Sequence, residues 1–318
     1  MAEKIECKNG SVNIDVQTKN FWPDKGCNHF NRQDLVFFTG WATDGNAPSY
    51  RELFQSLANN FGREVHVLKT KPEKIIDDSL FYQAKAAANY IKGMEMSDVV
   101  VAGYSEGAAK ALNLTYLLQK TDSTVKPEAL LLMSPVFLNP KKSSGLLVAN
   151  FLSDGGLTIG KILAEKNENG SSRLKKTKES GRVMADIAMG IVKDAKEHKS
   201  KYPKVLANEI KEINQENLLS KEISVPVILF QGKYDGAAGP SEDFKNEELI
   251  EERLKRLFPN SPHIDRILLK QSGKHAGVLL RSKEVAELAF KLFKENSKLA
   301  TQDIQVRNGI TSVNRLVI

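Results

Sequence analysis

The residues best suited to do chemistry lie in one short turn, the sequence GYSEG at 103–107. A β-branched apolar run at 98–102 precedes it, and an Ala- and Leu-rich stretch without Gly or Pro follows at 108–118. This order predicts a buried strand, a sharp turn and a helix, the context in which a G-x-S-x-G pattern presents a nucleophile. We expect Ser105 to be held in a strained conformation, with glycines where side chains would collide with the adjoining strand and helix.

A serine nucleophile needs a base and an acid that orients it, and one residue of each type is suitably placed. Asp235 follows a predicted strand at 225–230, and His275 follows another at 264–269. The carboxyl ends of parallel strands gather at one edge of a sheet, so both should approach Ser105. Among alternative acids, Asp243 lies farther into its loop and Asp265 lies within a strand.

The other four histidines are less well placed to act as the base. His263 precedes a predicted strand, His29 lies in an early loop, and His198 lies in a charged, helical region. His66 lies in an alternating strand pattern, which indicates a structural role.

Backbone N–H donors for an oxyanion are predicted at two places. Glu106 stands at the start of the predicted helix, so its N–H should point to the site where negative charge develops. A second loop, beginning Gly40-Trp41, follows a buried strand at 34–39. The N–H of Trp41 is the predicted second donor, and the alternative is that Trp41 is only a core aromatic residue.

Composition excludes several classes of protein. The 318 residues carry 46 Lys and Arg against 39 Asp and Glu, a net charge of +7, which favours anionic partners without identifying one. Cys7 and Cys27 form no CxxC pair or Cys/His cluster, so we expect no disulfide scaffold, metal or cofactor. We find no signal pattern or membrane-length apolar run, and we expect a soluble, cytoplasmic protein that does not bind nucleic acid.

Strand and helix patterns alternate along most of the chain, which predicts an α/β fold with a mostly parallel central sheet and helices on both faces. An Asn-Gly pair at 9–10 predicts an opening hairpin. The further predicted elements are strands at 64–68 and 129–133 and helices at 49–59, 79–92, 247–257 and 282–299.

The alternation stops at 137–223, which divides the chain into a core of 1–136 and 224–299, a helical insertion, and a tail of 300–318. We expect the insertion to cover the carboxyl edge of the sheet as a cap, and the tail to form a second hairpin around an Asn-Gly pair. Residues 161–204 contain twelve Lys or Arg and six Asp or Glu, about +6 (12 − 6). This charge indicates either a solvated helical face or attraction of an anionic substrate, a carrier or a lipid surface.

With these pieces the chain resembles the α/β-hydrolase superfamily with a helical cap, over nearly its whole length apart from the tail. The matching residues are the GYSEG turn, Gly40-Trp41, Asp235 and His275, in the family's order of Ser, Asp, His. Many relatives have His-Gly where this chain has Thr39-Gly40. The resemblance implies a nucleophile at Ser105, a base at His275, an orienting acid at Asp235, and oxyanion donors at Trp41 and Glu106.

The implied activity is hydrolysis of a carboxylic ester or thioester through a covalent acyl-enzyme, without a cofactor. An acyl substrate with an anionic portion is preferred because the insertion is apolar and basic. Amide or peptide cleavage, carbon–carbon hydrolysis and acyl transfer use the same triad and stay open. A ligand-binding or receptor protein on a hydrolase scaffold is the alternative from another class. The oligomeric state is not predicted.

Overall fold

The structure is a computed structural model of the full chain. It describes residues 2–8, 10–24, 34–40, 47–74, 76–121, 124–138, 219–232, 247–269, 277–302 and 312–317, together with the single positions 182, 185, 209 and 212. Most of the predicted insertion therefore lies outside the described residues, as do the candidate site residues Trp41, Asp235 and His275.

Nine strands within this part of the chain form one sheet, in the order β1-β2-β4-β3-β5-β6-β7-β8-β9. Their bounds are β1 Ala2–Cys7, β2 Gly10–Phe21, β3 Asp34–Phe38, β4 Val65–Pro72, β5 Asp98–Tyr104, β6 Lys126–Met133, β7 Val227–Gly232, β8 His263–Leu269 and β9 Ser312–Val317. The β1–β2 and β2–β4 pairs are antiparallel, and every pair from β4 to β9 is parallel. The predicted opening hairpin and mostly parallel sheet are both confirmed.

Helices cover both faces of this sheet, as predicted. They are α1 Pro48–Phe61, α2 Ser79–Gly93, α3 Gly107–Lys120, α4 Glu247–Leu257, α5 Gly277–Leu280 and α6 Ser282–Gln302, with short 3₁₀ turns at Val136–Leu138 and Leu219–Glu222. Helices α2, α3 and α4 contribute to the core on one face of the sheet. Helices α1, α5 and α6 pack on the other.

Local sequence explains why these elements begin and end where they do. Residues 99–104 of β5 are all buried, as expected for a central parallel strand covered on both faces. Helix α1 starts with Pro48, whose missing N–H needs no partner in a first turn. It ends at Gly62, whose φ of 61° lets its N–H return to the carbonyl of Ala58.

The tail contributes a strand to the edge of the sheet. Strand β9 pairs with β8 in parallel, from His263 opposite Ser312 to Leu268 opposite Val317. The first arm and turn of the predicted hairpin, at 304–310, lie outside the described residues. Among the described helices, none is both long enough and apolar enough to cross a membrane.

Candidate active site

Ser105 occupies a strained turn between β5 and α3. Its φ is 57°, in the left-handed region that costs a non-glycine residue about 1 to 2 kcal/mol. The turn is held from both sides. The Ser105 N–H donates to the carbonyl of Met133 at the end of β6 at 2.8 Å, and the Ser105 carbonyl accepts from the N–H of Ala108 in α3 at 3.2 Å. The expected strain at this serine is confirmed.

The two glycines of the turn are required by close backbone contacts. A Cβ on Gly103 would lie 2.3 Å from the carbonyl oxygen of Gly107. A Cβ on Gly107 would lie 2.4 Å from the carbonyl oxygen of Phe38 and 2.5 Å from that of Thr39. Helix α3 therefore begins directly against the end of β3, which confirms the predicted steric reason for this pattern.

The residue before the serine anchors the turn on the opposite side of the sheet from α3. Tyr104 is buried and packs edge-on against Tyr50 of α1, with ring centroids 5.9 Å apart. Strand alternation therefore directs Tyr104 into the core formed by α1. The backbone that carries Ser105 is fixed from this face as well.

The loop after β3 passes directly beside the serine side chain. A Cβ on Gly40 would lie 2.8 Å from Cβ of Ser105, 3.0 Å from the Tyr104 carbonyl oxygen and 3.4 Å from Oγ of Ser105. Only a residue without a side chain fits there. The chain thus enters the predicted oxyanion loop against Ser105, although the next residue, Trp41, lies outside the described residues.

Glu106 combines a buried side chain with a position at the start of α3. Its carboxylate Oε1 lies 2.8 Å from Nζ of Lys110, one turn further along the same helix. Both side chains are largely buried, so the pair offsets charge that would otherwise be costly to desolvate. The Glu106 peptide lies at the positive end of the α3 dipole, where an anion is favoured.

The described strands show at which edge of the sheet the segments that carry the predicted acid and base begin. Strands β5, β7 and β8 run in the same direction, so their carboxyl ends lie on the edge that carries Ser105. Asp235 follows the end of β7 and His275 follows the end of β8 by a few residues. Both residues themselves lie outside the described part of the chain, as does the rival acid Asp243.

Two rivals for the roles of base and acid are placed away from Ser105. His263 is the first residue of β8, at the amino end of the strand, and its Nε2 lies 3.0 Å from Oδ1 of Asp265. The amide of Asn296 in α6 donates to the other oxygen, Oδ2, of Asp265 at 2.9 Å. These buried groups satisfy one another. His29 and His198 lie outside the described residues.

Solved structures of low sequence identity share this fold. An α/β-hydrolase fold protein from Nakamurella multipartita gives a TM-score of 0.54 at 12% identity, over 92% of this chain and 99% of the other. The chain adopts the α/β-hydrolase fold. A thermophilic esterase from Thermogutta terrifontis gives 0.55 at 13% identity, over 93% and 98%. A bromoperoxidase from Bacillus anthracis gives 0.55 at 14%, over 93% and 100%. No protein-family model and no curated protein sequence matches this chain.

Within this hydrolase fold, sequence reasoning did not anticipate a second strained serine. Ser134 directly follows β6, is fully buried and has a φ of 46°. Its N–H donates to the Phe230 carbonyl of β7 at 2.7 Å. The Ser-Pro pair after an apolar strand was the available signal, but it indicates only a turn.

Residues of the predicted insertion contact the core near the start of two helices. The Glu212 carboxylate accepts the N–H of Ser79 at 2.6 Å and of Leu80 at 2.8 Å, which caps α2. Oε1 of the neighbouring Glu209 accepts the amide N–H of Gln83 at 3.0 Å. Burial raises the pKa of the Glu212 carboxyl to about 7. The hydrogen bonds from the two backbone N–H groups act in the opposite direction and lower this pKa.

On the other face of the sheet, Arg182 Nη2 lies 3.8 Å from Oε2 of Glu52 in α1. Each core helix that follows a parallel strand starts at the carboxyl edge of the sheet. The described residues of the predicted insertion thus approach helices on both faces near the edge that carries Ser105.

Proposed function

We propose that the protein is a serine hydrolase that cleaves a carboxylic ester or thioester, with Ser105 as nucleophile, His275 as base and Asp235 as the acid that orients the base. The observation that carries this proposal is the left-handed Ser105 at a strand-to-helix turn, with Gly40 packed against its side chain. A strained serine of this kind is characteristic of the nucleophile elbow of this fold.

The reaction would proceed in two steps. Ser105 Oγ attacks the carbonyl carbon while His275 takes the serine proton. The carbonyl oxygen gains negative charge, which the N–H groups of Trp41 and Glu106 would stabilise. The alcohol or thiol leaves with the proton from His275, and a water molecule, deprotonated by the same base, then releases the acid from Ser105.

The first test is labelling by a fluorophosphonate probe together with hydrolysis of a short-chain p-nitrophenyl ester. We expect both in the wild type and neither in Ser105→Ala, with a loss in kcat near ~10⁶-fold. Ser134→Ala is the matched control, because this serine is also strained at the end of a neighbouring strand but is fully buried. An unlabelled, inactive wild type that is folded would contradict the proposal and favour a ligand-binding protein.

The assignment of acid and base has its own test. We expect His275→Ala to lower kcat about as much as Ser105→Ala, and Asp235→Asn to lower it by ~10⁴-fold. The matched controls are His263→Ala and Asp243→Asn, which should retain most of the activity. A larger loss in Asp243→Asn than in Asp235→Asn would transfer the role of the acid to Asp243.

For the substrate, we propose an acyl compound with an anionic portion, such as an acyl thioester or a lysophospholipid. This is supported by the net charge of +7, most of which lies in the insertion. Salt screens exposed charges, so KM for an anionic acyl thioester should rise with ionic strength while KM for a neutral ester should not. Equal salt dependence for both substrates would contradict this preference. The same assay tests two other reactions. Added alcohol serves as the acceptor that tests acyl transfer, and anilide substrates test amide cleavage.

A further inference from the structure

Three side chains that can ligate metals meet at the amino edge of the sheet, opposite the edge that carries Ser105. Asp34 is the first residue of β3, Glu64 immediately precedes β4, and His66 is the second residue of β4. Strands β3 and β4 are parallel with Val36 opposite His66, so positions 34, 64 and 66 share the face covered by α2 and α3. One ligand atom from each residue lies within 4.8 Å of the other two.

His66 is buried without a hydrogen bond to either ring nitrogen. Its exposed fraction is 1%, and neither Nδ1 nor Nε2 has a partner within hydrogen-bond geometry. Nε2 points toward both carboxylates, at 3.5 Å from Oε2 of Glu64 and 3.7 Å from Oδ2 of Asp34. His263 in the same sheet forms a hydrogen bond of 3.0 Å to its carboxylate partner. A buried imidazole normally has such a partner, so the wider spacing at His66 needs a reason.

The two carboxylates lie close together with little water around them. Side-chain exposure is 11% for Glu64 and 25% for Asp34. One oxygen of each carboxylate lies within 4.8 Å of the other. Glu64 Oε1 is buried and has no hydrogen-bond partner. A cation between the carboxylates would relieve their repulsion.

We propose that Asp34, Glu64 and His66 bind one divalent transition-metal ion of the zinc class. Zinc lies about 2.0 to 2.2 Å from imidazole nitrogen and carboxylate oxygen, so two ligand atoms at the tetrahedral angle are about 3.4 Å apart. The observed 3.5 and 3.7 Å match this separation better than they match a hydrogen bond. One imidazole and two carboxylates suit zinc and its neighbours, and a water molecule would complete four-coordination.

The role of this ion is structural. It would join the beginning of β3 to the beginning of β4, and the carboxyl end of β3 leads directly to Gly40 beside the nucleophile. Because the site lies at the opposite edge of the sheet, the ion takes no part in the proposed hydrolysis. The two proposals can therefore fail independently.

The experiment uses the full-length protein after treatment with a chelator and exchange into chelator-free buffer. Isothermal titration with Zn²⁺ should show one tight equivalent, and the thermal midpoint should rise with Zn²⁺ concentration. Titration with Co²⁺ should give the visible absorption of a four-coordinate nitrogen and oxygen site. We expect Asp34→Asn, Glu64→Gln and His66→Gln each to weaken Zn²⁺ binding by at least ~100-fold, since even changes one shell further out cost ~10- to 100-fold.

His263→Gln is the matched control, because it removes another buried histidine of the same sheet that already has a carboxylate partner. It should retain the Zn²⁺ equivalent and the Co²⁺ spectrum. Circular dichroism checks that each variant is folded. Failure of the wild type to bind Zn²⁺ would overturn the proposal in favour of a buried cluster that holds no metal ion. Zn²⁺ binding that persists unchanged in all three variants would overturn the proposal and would indicate that histidines elsewhere bind the ion.

Discussion

Replacing Gly107 by alanine should disturb both the stability and the activity of this protein. The added Cβ would lie 2.4 Å from the Phe38 carbonyl oxygen and 2.5 Å from that of Thr39, whereas real Cβ contacts essentially never fall below 3.0 Å. Both obstacles are backbone atoms and cannot rotate away. Helix α3 must therefore move from the end of β3 by at least 0.6 Å (3.0 − 2.4).

The size of the effect follows from this displacement. Overpacking of a rigid interior costs about 1 to 3 kcal/mol, and we take ~2 kcal/mol for one methyl group against backbone. For a domain of this size the corresponding fall in the thermal midpoint is about 3 °C. The same shift moves Ser105 and Glu106, and a misplacement approaching 1 Å lowers kcat by up to ~10²-fold.

The assay compares thermal unfolding by circular dichroism with ester hydrolysis in the same preparations. Gly93→Ala is the control. A Cβ on Gly93, the last residue of α2, would meet nothing within 4 Å. Alanine favours helix over glycine by up to about 1 kcal/mol, so this variant should unfold at the same temperature or higher. If Gly107→Ala matched Gly93→Ala in both midpoint and kcat, the argument from backbone contact would be wrong.

Two further predictions concern the nucleophile and the insertion. Gly40→Ala should lower kcat about 10-fold or more, because its Cβ would lie 2.8 Å from Cβ of Ser105 and would displace that side chain; an unchanged kcat in a folded variant would contradict this. The contribution of Glu212 to the stability of the wild type should be greatest below pH 4.5, where its carboxyl is protonated whether the protein is folded or unfolded, and this contribution should fall by about 3 kcal/mol as pH rises from 4.5 through 7. Glu212→Gln should flatten this part of the profile of thermal midpoint against pH, since its neutral amide can still accept from Ser79 or Leu80. Parallel profiles in the two proteins would show that Glu212 does not titrate in this range.

Periodicity of apolar residues was enough to predict the central part of the fold. Strand β5 is a run of buried β-branched residues, and α4 occupies Glu247–Leu257, as predicted. Strand β4 is longer than its predicted range of 64–68. Its second half is polar and partly exposed, and it is held by antiparallel pairing with β2, such as Thr70 opposite Val16. Pairing with a distant strand leaves no signal in the local pattern.

The geometry of the candidate site was predictable only for residues that lie together in one short sequence motif. The GYSEG turn carries its geometry in five consecutive residues, so its strain and close contacts could be expected. The cluster of Asp34, Glu64 and His66 depends on the parallel register of β3 and β4, which joins segments about 30 residues apart. The carboxylate cap of α2 by Glu212 likewise requires the folded chain. The roles of all five site residues stay predictions: Ser105, Asp235, His275, Trp41 and Glu106.

The position of β9 in the sheet has a consequence for the order in which the protein is made. Strand β8 is synthesised well before β9, with α6 between them, yet β9 provides the hydrogen-bond partners along the outer edge of β8. Until Ser312–Val317 emerges from the ribosome, the outer edge of β8 presents unpaired N–H and C=O groups. The growing chain is thus most prone to pair with another chain in the interval between the synthesis of β8 and that of β9.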